Sequence, residues 1–218
     1  MSLTLESDWQ PIFLTLLQEN SAGDAAHDLQ HIQRVVTNAR RLSQAEGAEW
    51  SVVMPAAWLH DCVAVPKSSP LRTQASRLSA QQAVRWLEDH GWRHGNLEEI
   101  AHAIEAHSFS AKIPPLTLEA KVLQDADRLD ALGAVGLART LMLGAEMQRA
   151  FYDPADPFCD RREADDSIFT LDHFYCKLLK LEDTMQTASG RDEARQRTAF
   201  LRDFLLQMQA ELHGESGR

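Results

Sequence analysis

Three observations predict an all-α fold. Apolar residues recur at about 100° per residue in segment after segment. Capping residues stand just ahead of those segments, and glycines just behind them. No convincing stretch alternates apolar and polar residues as a half-buried strand does. The pattern predicts one domain over 1–218, with a helical core of about 24–147 and additional C-terminal helices over about 167–212 packed on it.

Asp8 can cap a first helix running to about Glu19, with Pro11 in its first turn. A second helix is expected from about Asp24 to Glu46, stopped by Gly47. Its apolar residues Leu29, Ile32, Val35, Val36, Ala39 and Leu42 form one broad arc, and His31 sits at the edge of it. His27 lies one turn earlier on that edge, and Asp28 points inward beside it. His31 is read either as a hydrogen-bonded boundary histidine or as a ligand whose imidazole Asp28 orients. A third helix starts at Ser51 or Val52, keeps Pro55 in its first turn, and ends in the adjacent pair His60 and Asp61. A fourth runs from about Ser76 or Ser79 to Asp89, before Gly91. Asn96 caps a fifth, on which His107 shares a face with Ile100, Ala103 and Ile104 and closes the helix. His102 falls on another face and is expected in solvent.

Thr117 then caps a long helix, Leu118 to about Met147. Asp127 and Asp130 share a face with Leu123, Ala126, Ala134, Leu137 and Leu141, whereas Asp125 points away. Carboxylates on a buried face are costly unless they pair with a cation or bind one. Phe151 to Ser167, rich in Asp, Pro and Arg, reads as a surface excursion that is either a lid or a loop. Two helices follow, about Leu171 to Thr187 and Asp192 to about Leu212. Their apolar faces either close the core or meet a second copy of the chain as a homodimer.

The composition bounds the function. A chain of 218 residues with 44% apolar and 25% charged residues has ordinary globular values. A net charge of −10 argues against a nucleic-acid polymer or an anionic membrane as partner, since both need a basic face. It leaves room for a small phosphorylated ligand held by a metal and a few local cations. No stretch approaches the roughly 20 apolar residues that span a bilayer. The amino terminus has neither a basic region nor a long apolar run, so no signal or transit peptide is expected. Three cysteines without a CxxC pair fit a reduced, cytoplasmic protein. Cys62 is read as a small buried residue near a helix end, with metal ligation as the alternative.

Ligand-type residues thus fall on, or at the ends of, three separate helices: His31, then His60 with Asp61, then Asp127. Three stretches carry them: His27-Asp-Leu-Gln-His31-Ile-Gln-Arg34, Trp58-Leu-His-Asp61, and Gln124-Asp-Ala-Asp127-Arg-Leu-Asp130. The set resembles the HD superfamily of metal-dependent phosphohydrolases, whose pattern is H…HD…D, over most of the chain. Glu105-Ala-His107-Ser-Phe-Ser110 and His173-Phe-Tyr-Cys-Lys177 are further similar to a branch of small bacterial single-domain members, some of them nucleotide pyrophosphohydrolases.

The resemblance implies an HD-domain helical bundle in which His31, His60, Asp61 and Asp127 hold one divalent ion. Two imidazoles and two carboxylates suit Mn²⁺, with Mg²⁺, Co²⁺ or Ni²⁺ as substitutes. It implies that Asp61 also takes part in activating water. Lys67, Arg72 and Lys112 are candidates for neutralising phosphate charge, though each taken singly reads as a solvated cation. Some HD enzymes hold a second ion with extra histidines. This chain offers His102 and His107 but departs from the histidine-rich pattern, so one ion is expected, with His107 supporting the ligands from behind, donating a proton or contacting phosphate. His27, Asp28 and Asp130 are expected to support the site rather than to ligate.

The expected activity is hydrolysis of (deoxy)nucleoside triphosphates to monophosphate and pyrophosphate. A phosphomonoesterase or phosphodiesterase acting on a nucleotide would use the same ligands. A non-catalytic scaffold sensing a nucleotide or metal is the reading from another class, weakened because all four motif positions are present.

Overall fold

The computed structural model of the chain describes residues 2–20, 29–65, 69 and 71–214. Among them are nine α-helices and no strand beyond an isolated parallel bridge between Ala150 and Phe169. The all-α expectation holds. The chain forms two compact units, residues 1–127 and 128–218.

In the first unit, α3 (Trp50–Leu59) is the central element. Every residue from Val52 to His60 is buried, as suits a helix apolar on all sides. It packs against α1 (Ser2–Asn20), α2 (Leu29–Glu46), α4 (Ala75–Asp89) and α5 (Leu97–His107). On α2 the predicted arc is the buried one: Ile32, Val35, Val36, Ala39 and Leu42 are all in the core. Gly47 follows it at φ +76°, a left-handed stop. Asn96 Oδ1 accepts from the Glu98 N–H at 2.9 Å, and Thr117 Oγ1 accepts from the Ala120 N–H at 3.1 Å, so both predicted caps form.

Several element boundaries differ from expectation. α1 begins at Ser2, so Asp8 and Pro11 lie inside it. The loss of one ladder donor at Pro11 is offset by Trp9, Phe13, Leu16 and Leu17, which bury one face. Glu49 caps α3 by accepting from the Ser51 N–H at 3.2 Å, which starts the helix at Trp50 and moves Pro55 into the second turn. The Ser51 carbonyl that Pro55 cannot reach faces Gly95, where a Cβ would come within 2.3 Å of its oxygen. The expected start of α2 near Asp24 lies outside the described residues.

The long helix expected from Leu118 is two. α6 (Leu118–Leu129) ends, and α7 (Gly133–Glu146) begins at a glycine with φ +69°. The predicted common face therefore does not continue past Leu129, and Ala134 is exposed. Asp125, expected to point outward, is fully buried, because Val122 to Ala126 are buried on every side of α6.

In the second unit, α7 packs on α9 (Ala188–His213). α9 starts earlier than predicted because Thr187 caps it, accepting from the Gly190 N–H at 3.0 Å. The helix expected over 171–187 is instead α8 (Asp172–Cys176) and two 3-10 turns, since Lys177 leaves helical geometry at φ −134°. The excursion after Phe151 is tied down. Asp156 accepts from the N–H groups of Asp160, Arg161 and Arg162, and Arg162 grips buried Asp172 with two donors.

Candidate metal centre

His60 is the C-cap of α3, where an apolar helix delivers a fully buried imidazole. Its Nδ1 donates to the Ala57 carbonyl at 2.8 Å, which leaves the Nε2 lone pair facing inward. That Nε2 is buried and has no protein hydrogen-bond partner among the described residues. Around it stand Asp61 Oδ2 at 3.8 Å and Asp127 Oδ1 at 4.0 Å. The same Asp127 oxygen lies 3.4 Å from His31 Nε2, delivered by the first described turn of α2. Asp61 turns its other oxygen, Oδ1, to His107 Nε2 at 3.5 Å, and His107 Nδ1 donates to the Ile104 carbonyl at 2.6 Å.

These groups form two overlapping triads, His31–His60–Asp127 and His60–Asp61–His107. Both triads share His60, whose Nδ1 is taken by the Ala57 carbonyl. The donor set fits a divalent ion on two grounds. A buried imidazole nitrogen without a partner faces two carboxylates, and separations of 3.4–4.0 Å suit atoms bonded to one ion at roughly 2.1 Å.

Charge states agree. Burial lowers the affinity of His60 for a proton, more than Asp61 and Asp127 restore it, so the imidazole stays neutral and able to ligate. Burial pushes the Asp127 carboxyl up, but the hydrogen bond and charge of His31, backed by His107 and His60, hold it at about 2. Burial also opposes a proton on His107, yet the hydrogen bond and charge of Asp61 outweigh it and raise its pKa. Cys62 is no competitor: burial pushes its thiol up to about 12, and Sγ donates to the Ser79 carbonyl.

The structure thus brings His31, His60, Asp61, His107 and Asp127 together. Arg72 donates to the Val65 carbonyl at 3.0 Å. Lys112 is exposed at φ +53°, directly after the 109–111 turn, which meets the 72–74 turn. Asp130 is buried and accepts from Arg139. His102 is half-buried and accepts from the Leu116 N–H at 3.0 Å. His27, Asp28 and Lys67 lie outside the described residues. Sequence reasoning missed two buried amides. Asn38 donates to the Ala126 carbonyl at 3.2 Å, just before Asp127, and Gln124 donates to the Ala106 carbonyl at 2.7 Å, just before His107. Asn38 was legible as a polar residue seven positions after His31, on the same helix face.

An all-α core holding a His–His–Asp–Asp cluster around one buried imidazole nitrogen defines a metal-dependent phosphohydrolase class. Residues 28–132 match the HD domain. The Bacillus subtilis (strain 168) protein YpgQ is 31% identical over 204 residues, 92% of this chain and 90% of that one. The chain belongs to the HD superfamily of metal-dependent phosphohydrolases. Among solved structures, an HD-superfamily hydrolase from Bacillus thuringiensis aligns with TM-score 0.70 and 32% identity, over 94% of this chain and 98% of the other. A protein from Lactobacillus plantarum aligns with TM-score 0.71 and 31% identity, over 96% and 98%. YpgQ in complex with ADP aligns with TM-score 0.71 and 30% identity, over 94% and 100%.

Proposed function

We propose that this protein hydrolyses (deoxy)nucleoside triphosphates to the monophosphate and pyrophosphate, in the cytoplasm. The observation that carries the nucleotide reading is the ADP complex of a relative that aligns along its whole length. In this reading His31, His60, Asp61 and Asp127 hold one divalent ion, Mn²⁺ by preference for a mixed imidazole and carboxylate set. When bound, the ion polarises a phosphoryl oxygen and makes water a better nucleophile at neutral pH.

The chain's own residues do the rest. Asp61 has one oxygen toward His60 and the other toward His107, so it can face the ion and share a proton with His107 at once. His107 has its Nδ1 committed to a backbone carbonyl, which leaves Nε2 as the atom that accepts or returns the proton. Arg72, Lys112 directly after the 109–111 turn that meets the turn of Arg72, and Lys67 between Asp61 and Arg72 in sequence supply positive charge for the remaining phosphates.

The test is to strip the protein of metal, reload it with Mn²⁺, and identify the phosphorus products from a panel of nucleoside and deoxynucleoside triphosphates. Pyrophosphate with monophosphate is expected. Orthophosphate with the nucleoside diphosphate, and no pyrophosphate, would overturn the cleavage position.

A further inference from the structure

The C-terminal end of α5 is held in an unusual way. The last four carbonyls of an α-helix have no partner inside it. On α5 these belong to Ile104, Glu105, Ala106 and His107. Three of them receive side-chain donors from three different elements. His107 Nδ1 reaches Ile104 at 2.6 Å, Ser76 Oγ on α4 reaches Glu105 at 3.0 Å, and Gln124 Nε2 on α6 reaches Ala106 at 2.7 Å. Ser76 and Gln124 are both buried. Gln124 is a poor choice for packing alone, because its Oε1 is buried without a protein hydrogen-bond partner among the described residues. A buried amide that is half satisfied destabilises relative to an apolar residue of the same size. Its retained half binds the carbonyl immediately before His107.

We propose that Gln124, with Ser76, is a positioning residue: it fixes the last turn of α5 so that the His107 imidazole meets Asp61 in the reactive orientation. Gln124 acts on the backbone and Ser76 supports the neighbouring carbonyl, so the side chain at 107 inherits its place from both. The inference rests on the reading of His107 as the proton-handling group.

Gln124→Met tests it, since methionine has similar length and volume but no donor. The variant is expected to fold and to bind Mn²⁺ as the parent does, with a modestly lower melting temperature because the Ala106 carbonyl loses its donor. Its kcat should fall at least about tenfold with KM unchanged, since misplacement on the order of 1 Å can cost ~10²-fold. Added to His107→Ala, it should lower kcat no further. In the Mg²⁺-loaded protein, the long-range ¹H–¹⁵N signals of His107 should move while those of His60 stay. Ser76→Ala is the second variant, expected to act in the same direction. Unchanged kcat in both variants with an unmoved His107 signal would overturn the proposal, as would an equal kcat loss in the His107→Ala background. If His107→Ala alone kept full turnover, the proton-handling role would be the part that failed, and the His107 signal would still decide the positioning.

Discussion

Replacing His60 removes the one nitrogen on which both triads depend. His60→Ala should abolish stoichiometric metal binding, and turnover should fall by more than the 10–100-fold typical of disturbing groups behind the ligands. Elemental analysis of the reloaded variant, alongside its turnover, checks this; one ion per chain with full activity would refute the centre. His31, His60, Asp61 and Asp127 were legible in the sequence because each is a polar group at a core-facing position or a helix end, where burial demands a partner. His107 was legible as a helix-closing histidine on an apolar face. The tasks of the Asn38 and Gln124 amides were not, although the place of Asn38 on the His31 face was, because an amide shows its task only once a particular carbonyl has been brought to it by another element. Asp125 misled for a related reason: a one-faced helix was assumed, and Val122 to Ala126 are buried around the circumference of α6.

Helix starts were written locally, at Asn96 and Thr117, and the sequence showed them. The break between α6 and α7 was not local. No proline marks it, and apolar periodicity runs through it. The carbonyl of Leu129 instead receives Arg197 Nη1 from α9 at 2.7 Å, and Gly133 takes up a left-handed turn against the Arg197 side chain. A second close approach yields a prediction. A Cβ at Gly144 on α7 would fall 2.2 Å from Thr170 Oγ1 and 2.4 Å from its Cγ2. Gly144→Ala should therefore destabilise by roughly 1–3 kcal/mol despite the better helix propensity of alanine, as overpacking does. Adding Thr170→Ala should restore only part of the loss in urea denaturation, because the Cβ of residue 170 still lies 2.9 Å away, whereas Thr170→Gly removes all three contacts.

The Arg162–Asp172 pair makes a pH prediction for the same unit. Burial alone would raise the Asp172 carboxyl, but the Arg162 guanidinium and the Asp165 N–H outweigh it and hold it below the usual carboxylate range. A depressed folded pKa means stability that is present above the unfolded value, near ~3.9, and lost as pH falls through the folded one. Asp172→Asn should cost roughly 2–3 kcal/mol at pH 7, less than a fully buried pair because the Arg162 side chain is 22% exposed. The gap between parent and variant should narrow steadily below about pH 4 in denaturation titrations.

At the scale of the whole chain, two facts pull against each other. The protein carries a net charge of −10, and no described helix is long and apolar enough to cross a membrane. Such a surface repels polyphosphates at long range, so recognition has to be local, at a centre that concentrates positive charge. A bound ion would then have two roles, ligand anchor and structural cation, because it would bring positive charge to the two carboxylates, Asp61 and Asp127, that stand around His60 Nε2. The stabilisation follows from mass action: an ion that binds the folded chain and not the unfolded one adds about 2.7 kcal/mol at 100 times its dissociation constant. Melting temperature should therefore climb with the logarithm of free Mn²⁺ concentration and fall back when a chelator is added. Hydrogen exchange should slow most at the helix ends that carry His31, His60, His107 and Asp127, all within residues 1–127. In His60→Ala, both the metal-dependent rise in melting temperature and this pattern of protection should vanish together, whereas a loss of activity with the rise intact would assign His60 to chemistry rather than to holding the ion.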